Sequence, residues 1–362
     1  MPSLTRSFTP NWFAVTMGTG VLALVWPQLP WPLPDAFAVG RVLWGVALVL
    51  FCVFSLLYAA RWLLYRREAR AVLHDPVGSL FLGTIPMGLA TVVNGFLVFG
   101  VPLWGETAVA VARVLWGLDV LLALACGLGV PYLMFTRQQH RLEVMTAAWL
   151  LPIVAAEVAA ASGGLLAPFL TPEAGTAVLV GCYVLWAFSV PLALSVLVIL
   201  VLRLVLHKLP ERTMAATGWL ALGPIGTGAL GLLVLGNAAP SVCQTTLPML
   251  AEVAPGLGLV GGLVLWGYGA WWLLLAMLKT GHYLRQGLPF TMGWWGFTFP
   301  LGVYTLATLA LARATDLAGF AWAGQGLGLM LAGIWAVVSG ATLLDVARKV
   351  RAARPSVAVL AP

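Results

Sequence analysis

Residues 107–135 read TAVAVARVLWGLDVLLALACGLGVPYLMF, a run of 29 residues whose only charges are Arg113 and Asp119. A helix needs about 20 mostly apolar residues to cross roughly 30 Å of hydrocarbon, and this run has more than enough. Within it stands the word Val114-Leu115-Trp116-Gly117, which recurs along the chain. Val42-Leu43-Trp44-Gly45, Val184-Leu185-Trp186-Ala187, Val264-Leu265-Trp266-Gly267 and, more loosely, Gly333-Ile334-Trp335-Ala336 are its relatives. The five Trp are 72, 70, 80 and 69 residues apart. Self-similarity at a fixed period is the mark of a repeat architecture, and about 70 residues hold one helical hairpin.

Working outward, ten runs qualify as spans: 11–30, 37–64, 78–100, 107–135, 146–168, 174–205, 215–236, 255–279, 291–312 and 320–346. The recurring Trp word belongs to the even-numbered ones. The sequence therefore predicts an all-α polytopic membrane protein, ten helices arranged as five hairpins (about 8–65, 78–135, 146–206, 215–279 and 291–347). These make one transmembrane domain over 1–362, ending in a short basic tail, 348–362. Composition agrees. Hydrophobic residues are 61% and charged residues 9%, with mean hydropathy +0.99, against about 25% charged residues in a soluble domain.

The net charge of +7 does not indicate nucleic acid, because the cations cluster in alternate linkers. Arg66 to Arg70, Arg137 to Arg141, Arg203 to Arg212, Lys279 to Arg285 and Arg348 to Arg354, with Arg6 and Arg61, place 16 of the 19 basic residues on one side. Only Arg41, Arg113 and Arg313 fall on the other. Basic loops stay cytoplasmic, so both termini are expected inside a cell (inner) membrane, as an even number of spans requires. Arg6 alone precedes the first apolar run, and Pro27 and Pro30 stand where a small-residue cleavage site would be, so that run is kept as a span rather than a signal peptide.

Few residues suggest bond-making chemistry. Cys52, Cys126, Cys182 and Cys243 are scattered, with neither a CxxC nor a nearby His, so no disulfide framework, metal or cofactor is expected. His74, His140, His207 and His282 all fall in basic linkers. HExxH, GxSxG and phosphate-loop motifs are absent. An enzyme or a nucleotide-driven pump is not expected, and no catalytic residue is assigned.

The two helix classes differ. Odd-numbered spans carry Gly and Pro at mid-span, together with Thr16, Thr19, Thr84, Asn94, Glu157, Thr227 and Thr298, whereas even-numbered ones read as continuous Leu, Val and Ala. Proline removes a backbone hydrogen bond, and freed backbone groups survive at membrane depth only inside protein or beside a watery cavity. An inner ring of odd helices around a central pore, screened from lipid by an outer ring of even helices, satisfies that constraint. Interrupted helices present the positive ends of their dipoles, so the breaks at Gly18, Pro86, Pro224 and Pro300 are candidate anion contacts. Gly and Pro can equally serve close helix packing. Thr16, Thr19, Thr84, Thr227 and Thr298 are candidate hydroxyl donors, although such hydroxyls often bond the carbonyl one turn back. Asn94 and Asn237 stand nearer the outer ends, at a possible vestibule. Glu157, about 16 Å into its span at 1.5 Å per residue, is costly to keep charged there; it is either a proton-coupling site or a carboxyl bonded to a neighbouring helix. Asp119 reads as an interhelical structural contact.

Together with the repeat, Phe8-Thr9-Pro10-Asn11-Trp12-Phe13-Ala14-Val15-Thr16-Met17-Gly18-Thr19-Gly20 and Trp294-Trp295-Gly296-Phe297-Thr298-Phe299-Pro300 resemble the tellurite-resistance/dicarboxylate transporter family. That family includes yeast malic acid and sulfite transporters and plant slow anion channels. The resemblance covers essentially the whole chain. It implies a pore through five inner helices, a homotrimer, and a Phe on the ninth helix that plugs the pore: Phe299 by its place before Pro300, with Phe297 the alternative. Gly296 departs from the pattern. The implied partners are the lipid bilayer and a small anion, most of all a C4-dicarboxylate such as malate, because the first-helix word is most similar to the malic acid and sulfite branches. Sulfite, nitrate, chloride or tellurite-related anions are the alternatives. The lack of an inner-ring Arg favours small monovalent anions, since a dianion usually wants a fork of donors, but the first-helix word weighs more.

Overall fold

The computed structural model describes residues 2–31 and 34–352, so residues 353–362 of the expected basic tail, Arg354 among them, lie outside the described residues. The described residues are all-helical, with no strand. The long helices are α1 (Phe13–Val25), α2 (Ala36–Leu64), α3 (Thr84–Gly95), α4 (Glu106–Thr136), α5 (Leu151–Leu166), α6 (Pro172–His207), α7 (Leu222–Cys243), α8 (Pro248–Arg285), α9 (Thr298–Thr315) and α10 (Ala318–Ala352). Counted with the short helical turns that flank them, nine are long and apolar enough to cross a membrane among the described residues; α1, at 13 residues, is not one of these.

Burial alternates along the chain. The apolar stretch around α5 is 94% buried and that around α7 78%, whereas the stretches in α4 and α10 are each 22% buried. In α1 every residue except Ala14 is buried. The exposed helices show why. On α4, Val114, Leu121, Leu128 and Phe135 are 59–83% exposed, and on α2 so are Val42, Val49, Leu56 and Leu63 at 62–71%. A seven-residue step keeps side chains on one helical face, so each of these helices presents a continuous apolar stripe outward. A contiguous apolar surface of this size suits lipid and not water.

The buried helices contact one another in cyclic order, α1 to α3 to α5 to α7 to α9 and back to α1, and each also packs on the exposed helix that follows it. A small residue opens every contact of the cycle: Gly20 receives Thr91, Gly83 the backbone of Leu151, Gly164 Leu235, Gly226 the backbone of Tyr304, and Gly18 Thr298. At Gly226 a Cβ would lie 2.8 Å from the amide nitrogen of Tyr304, a main-chain atom that cannot rotate away. Small residues let helices approach closely where lipid gives no hydrophobic drive to associate.

The recurring Trp word finds its physical meaning in one hydrogen bond, made five times. The indole N–H of Trp44 donates to Val92 O (3.2 Å), Trp116 to Ala159 O (2.9 Å), Trp186 to Gly228 O (2.9 Å), Trp266 to Thr308 Oγ1 (2.8 Å) and Trp335 to Thr19 Oγ1 (3.0 Å). In each case an exposed helix reaches the next buried one in the cycle, and the last, on α10, closes back onto α1. An indole has one donor and a large apolar body, which suits a polar clasp inside an apolar bundle.

The prolines correct the sequence reading. Pro86, Pro224 and Pro300 are each the third residue of α3, α7 and α9, and Pro152 is the second of α5. Each stands inside a longer helical span, at the point where a preceding turn gives way to the α-helix, and proline's missing N–H costs nothing in that first α-turn. Tight 3₁₀ turns lead into most of them, Gly78–Gly83 before α3, Ala147–Leu150 before α5 and Met292–Phe297 before α9. Interior prolines occur both in exposed helices expected to be unbroken, Pro131 in α4, Pro191 in α6 and Pro255 in α8, and near the far end of buried α7, at Pro240.

Candidate functional site

A cavity of about 40 Å³, room for roughly three waters, lies where the first turns of the five buried helices meet. All five contribute: Met17 from α1, Thr84 and Met87 from α3, Val154 from α5, Pro224 from α7, Phe299 from α9. It lies toward the end of the bundle that carries the basic linkers, reaching Thr217 and Met292 in the segments that enter α7 and α9. No charged side chain lines it. Its two side-chain hydroxyls are already donating, Thr84 Oγ1 to Pro10 O (2.8 Å) and Thr217 Oγ1 to Met214 O (2.7 Å).

Of the residues singled out in the sequence, Thr84, Pro224, Phe299 and Pro300 line this cavity. The others are placed elsewhere. Thr16 donates to Phe13 O (2.6 Å) and Thr298 to Trp295 O (2.7 Å), back-bonds that use up the hydroxyl hydrogen. Thr19 accepts the indole of Trp335. Gly18 is filled by Thr298 and Trp295, and Pro86 is buried in the start of α3. Only Thr227 among these hydroxyls is buried with no hydrogen-bond partner among the described residues. Phe297 packs its ring against Trp219 (5.7 Å between centroids) and Trp294 (6.2 Å), so of the two it is Phe299 that lines the cavity, together with Phe81 and Trp295.

Glu157 is fully buried, but its carboxyl turns to an exposed helix: Oε2 lies 3.1 Å from Ser189 Oγ of α6, whose one hydrogen is shared with Ile153 O at 2.8 Å, and Oε1 has no partner among the described residues. The expected structural contact at Asp119 does not form, since both of its carboxylate oxygens are buried and unpartnered among the described residues. Asn94 Oδ1 is likewise buried without a partner, and Asn237 is exposed. Of the linker histidines, His74, His207 and His282 are exposed, whereas His140 packs edge-on against Trp149 (5.2 Å), where burial holds its pKa below the usual value.

Sequence reasoning passed over Met17 and Met87. Each stands inside a word already singled out, Thr16-Met17-Gly18 and Pro86-Met87-Gly88, but methionine in an apolar helix carries no signal that separates a pore wall from a core. Its flexible thioether suits an irregular, adaptable lining.

An all-helical membrane protein with five mutually contacting buried helices and a cavity at their common end is the class that this geometry defines. The chain belongs to the voltage-dependent anion channel family, which it matches over residues 7–343. It is 37% identical to a sulfite efflux pump of Arthroderma otae, over 93% of this chain and 90% of that one. It is 30% identical to an uncharacterized transporter of Methanocaldococcus jannaschii (95% and 94%) and 23% identical to the malic acid transport protein of Schizosaccharomyces pombe (91% and 76%).

Proposed function

We propose that this chain moves a small inorganic anion, sulfite foremost, along the axis enclosed by its five buried helices. In this reading α1 is the tenth crossing. With its flanking 3₁₀ turns it makes 19 consecutive helical residues, 10 to 28, about 28 Å at 1.5 Å per residue. The cyclic contacts and the five indole bonds support five hairpins around a central path. By the charge rule the basic end faces the cytoplasm. One observation carries the functional reading: a single cavity lined by all five buried helices, with Phe299 in its wall.

The lining also bears on substrate. A wall without cations or free hydroxyls offers no fork of donors for a dicarboxylate. Sulfite has four heavy atoms, and proteins 37% identical to this chain are sulfite efflux pumps. Malate, favoured by the first-helix word, is the second reading. Phe299 is the gate in this account, and the Glu157 carboxyl is a tie between α5 and α6 that takes no part in coupling.

Flux into liposomes holding the purified chain tests the assignment. Radiolabelled sulfite is expected to enter faster than labelled malate, with chloride between them. Malate faster than sulfite would replace the substrate, and no anion flux above empty vesicles would remove the function.

A further inference from the structure

Beside the central cavity, a second, smaller pocket of about 20 Å³ opens between the end of α6, the segment entering α7 and the last turns of α8. It shares Thr217 with the central cavity. On its other side it shares Pro210 and Tyr283 with an open groove of about 690 Å³ at the basic end, whose walls include Lys208, Arg212 and His282 as well as Glu211. The pocket thus stands between a broad basic groove and the cavity on the axis.

Its charged lining is Arg203 and Lys279, and no carboxylate faces it. Arg203 is 3% exposed and is a structural cation: Nε and Nη2 donate to Glu143 O, and Nη1 donates to Lys208 O (2.6 Å). That leaves two of its five N–H groups unused. Lys279 makes no hydrogen bond and no ion pair among the described residues; its ammonium lies 5.6 Å from the Trp272 ring centroid. The nearby Glu143 carboxylate is turned to Arg141, at 3.8 Å. Both cations line one pocket with no carboxylate in its wall, and a bound anion would offset the cost of holding them there without a counter-ion.

We infer that Arg203 and Lys279 form an off-axis oxyanion site, a loading station from which the anion passes the Thr217 wall into the central cavity. The free ammonium supplies three donors and the guanidinium two, enough for the oxygens of one sulfite-like ion. The inference rests on the transport reading above. Phosphate-bearing lipid headgroups share this chemistry, but a pocket reached through an open basic groove favours the soluble ion.

The test combines calorimetry with flux. Sulfite titrated into the detergent-solubilised full chain should bind, and Lys279→Met should weaken that binding about tenfold, the weight of one charge-assisted contact. In phosphatidylcholine liposomes the same variant should raise the half-saturating sulfite concentration about as much while the maximal rate stays within about twofold, and Lys279→Arg should restore most of the affinity. Equal binding by wild type and Lys279→Met overturns the site, as does an effect that appears only when phosphatidylglycerol is added, which would assign it to lipid. If wild type binds sulfite through Lys279 but transports nothing, the site stands and the transport reading falls.

Discussion

The buried helices are built differently along their length. At the basic end they begin in 3₁₀ turns and first-turn prolines, and between them Met17, Met87 and Phe299 leave a cavity. Further along, glycines take the neighbour's side chain into the helix–helix contact, as Gly20 takes Thr91 and Gly164 takes Leu235. The two regions use the same residue types for opposite ends. Glycine and proline near a helix start shape an opening, while glycine in mid-helix removes space. A composition rich in both therefore says that helices meet closely or start abruptly, but not which of the two holds at a given residue.

The sharpest way to break this contrast is to fill a helix–helix contact. Gly226→Val should be the most damaging substitution, because the atoms it meets are main chain; overpacking costs about 1–3 kcal/mol, and the upper end applies where nothing can yield. Loss of the monodisperse peak on size exclusion, or a clear fall in Tm, is the expected readout. Gly223→Ala, at a cavity-lining position where a Cβ meets nothing within 4 Å, should leave Tm unchanged. Equal damage from the two would erase the distinction.

Next in size is the indole clasp. Trp186→Phe removes the donor to Gly228 O and should cost about 1 kcal/mol, read as a modest fall in Tm with flux retained. Trp335→Phe, which opens the closure onto Thr19, should act alike; a much larger loss at one position would show that the five clasps are not equivalent. Thr227→Val sharpens the comparison from the other side. If this unpartnered hydroxyl meets the passing anion, flux should fall about threefold, the weight of one neutral hydrogen bond. The smallest effect is expected from Glu157→Gln: the bond with Ser189 can be kept, and the pH dependence of flux should not change. A flattened pH profile would return Glu157 to a coupling role.

Much of this was legible before any coordinates. The Trp word marked the helix class correctly because its indole does the same task five times, and equal tasks leave equal words. Charge in the linkers separated one end of the bundle from the other. Pro86, Pro224 and Pro300 lie inside their spans as the letters suggest, but that they stand in the first turn of an α-helix is not legible, because proline's constraint looks the same until the first residue of the helix is known. Threonine was equally ambiguous: Thr16 and Thr298 satisfy their own turns, Thr19 serves a tryptophan, and nothing in the letters separates these from Thr227. That Arg203 and Lys279 line one pocket was out of reach, since they belong to helices α6 and α8 and stand 76 residues apart in the chain.

The central claim is that the ring axis is the path and that Phe299 closes it. Its most direct test is anion flux through Phe299→Ala measured beside Phe297→Ala in the same liposomes. Removing the one of the two rings that lines the cavity should raise flux about tenfold, a barrier lowered by about 1.4 kcal/mol, while removing the ring held between Trp219 and Trp294 should not. Unchanged flux in Phe299→Ala, or an equal rise in both variants, would contradict the account.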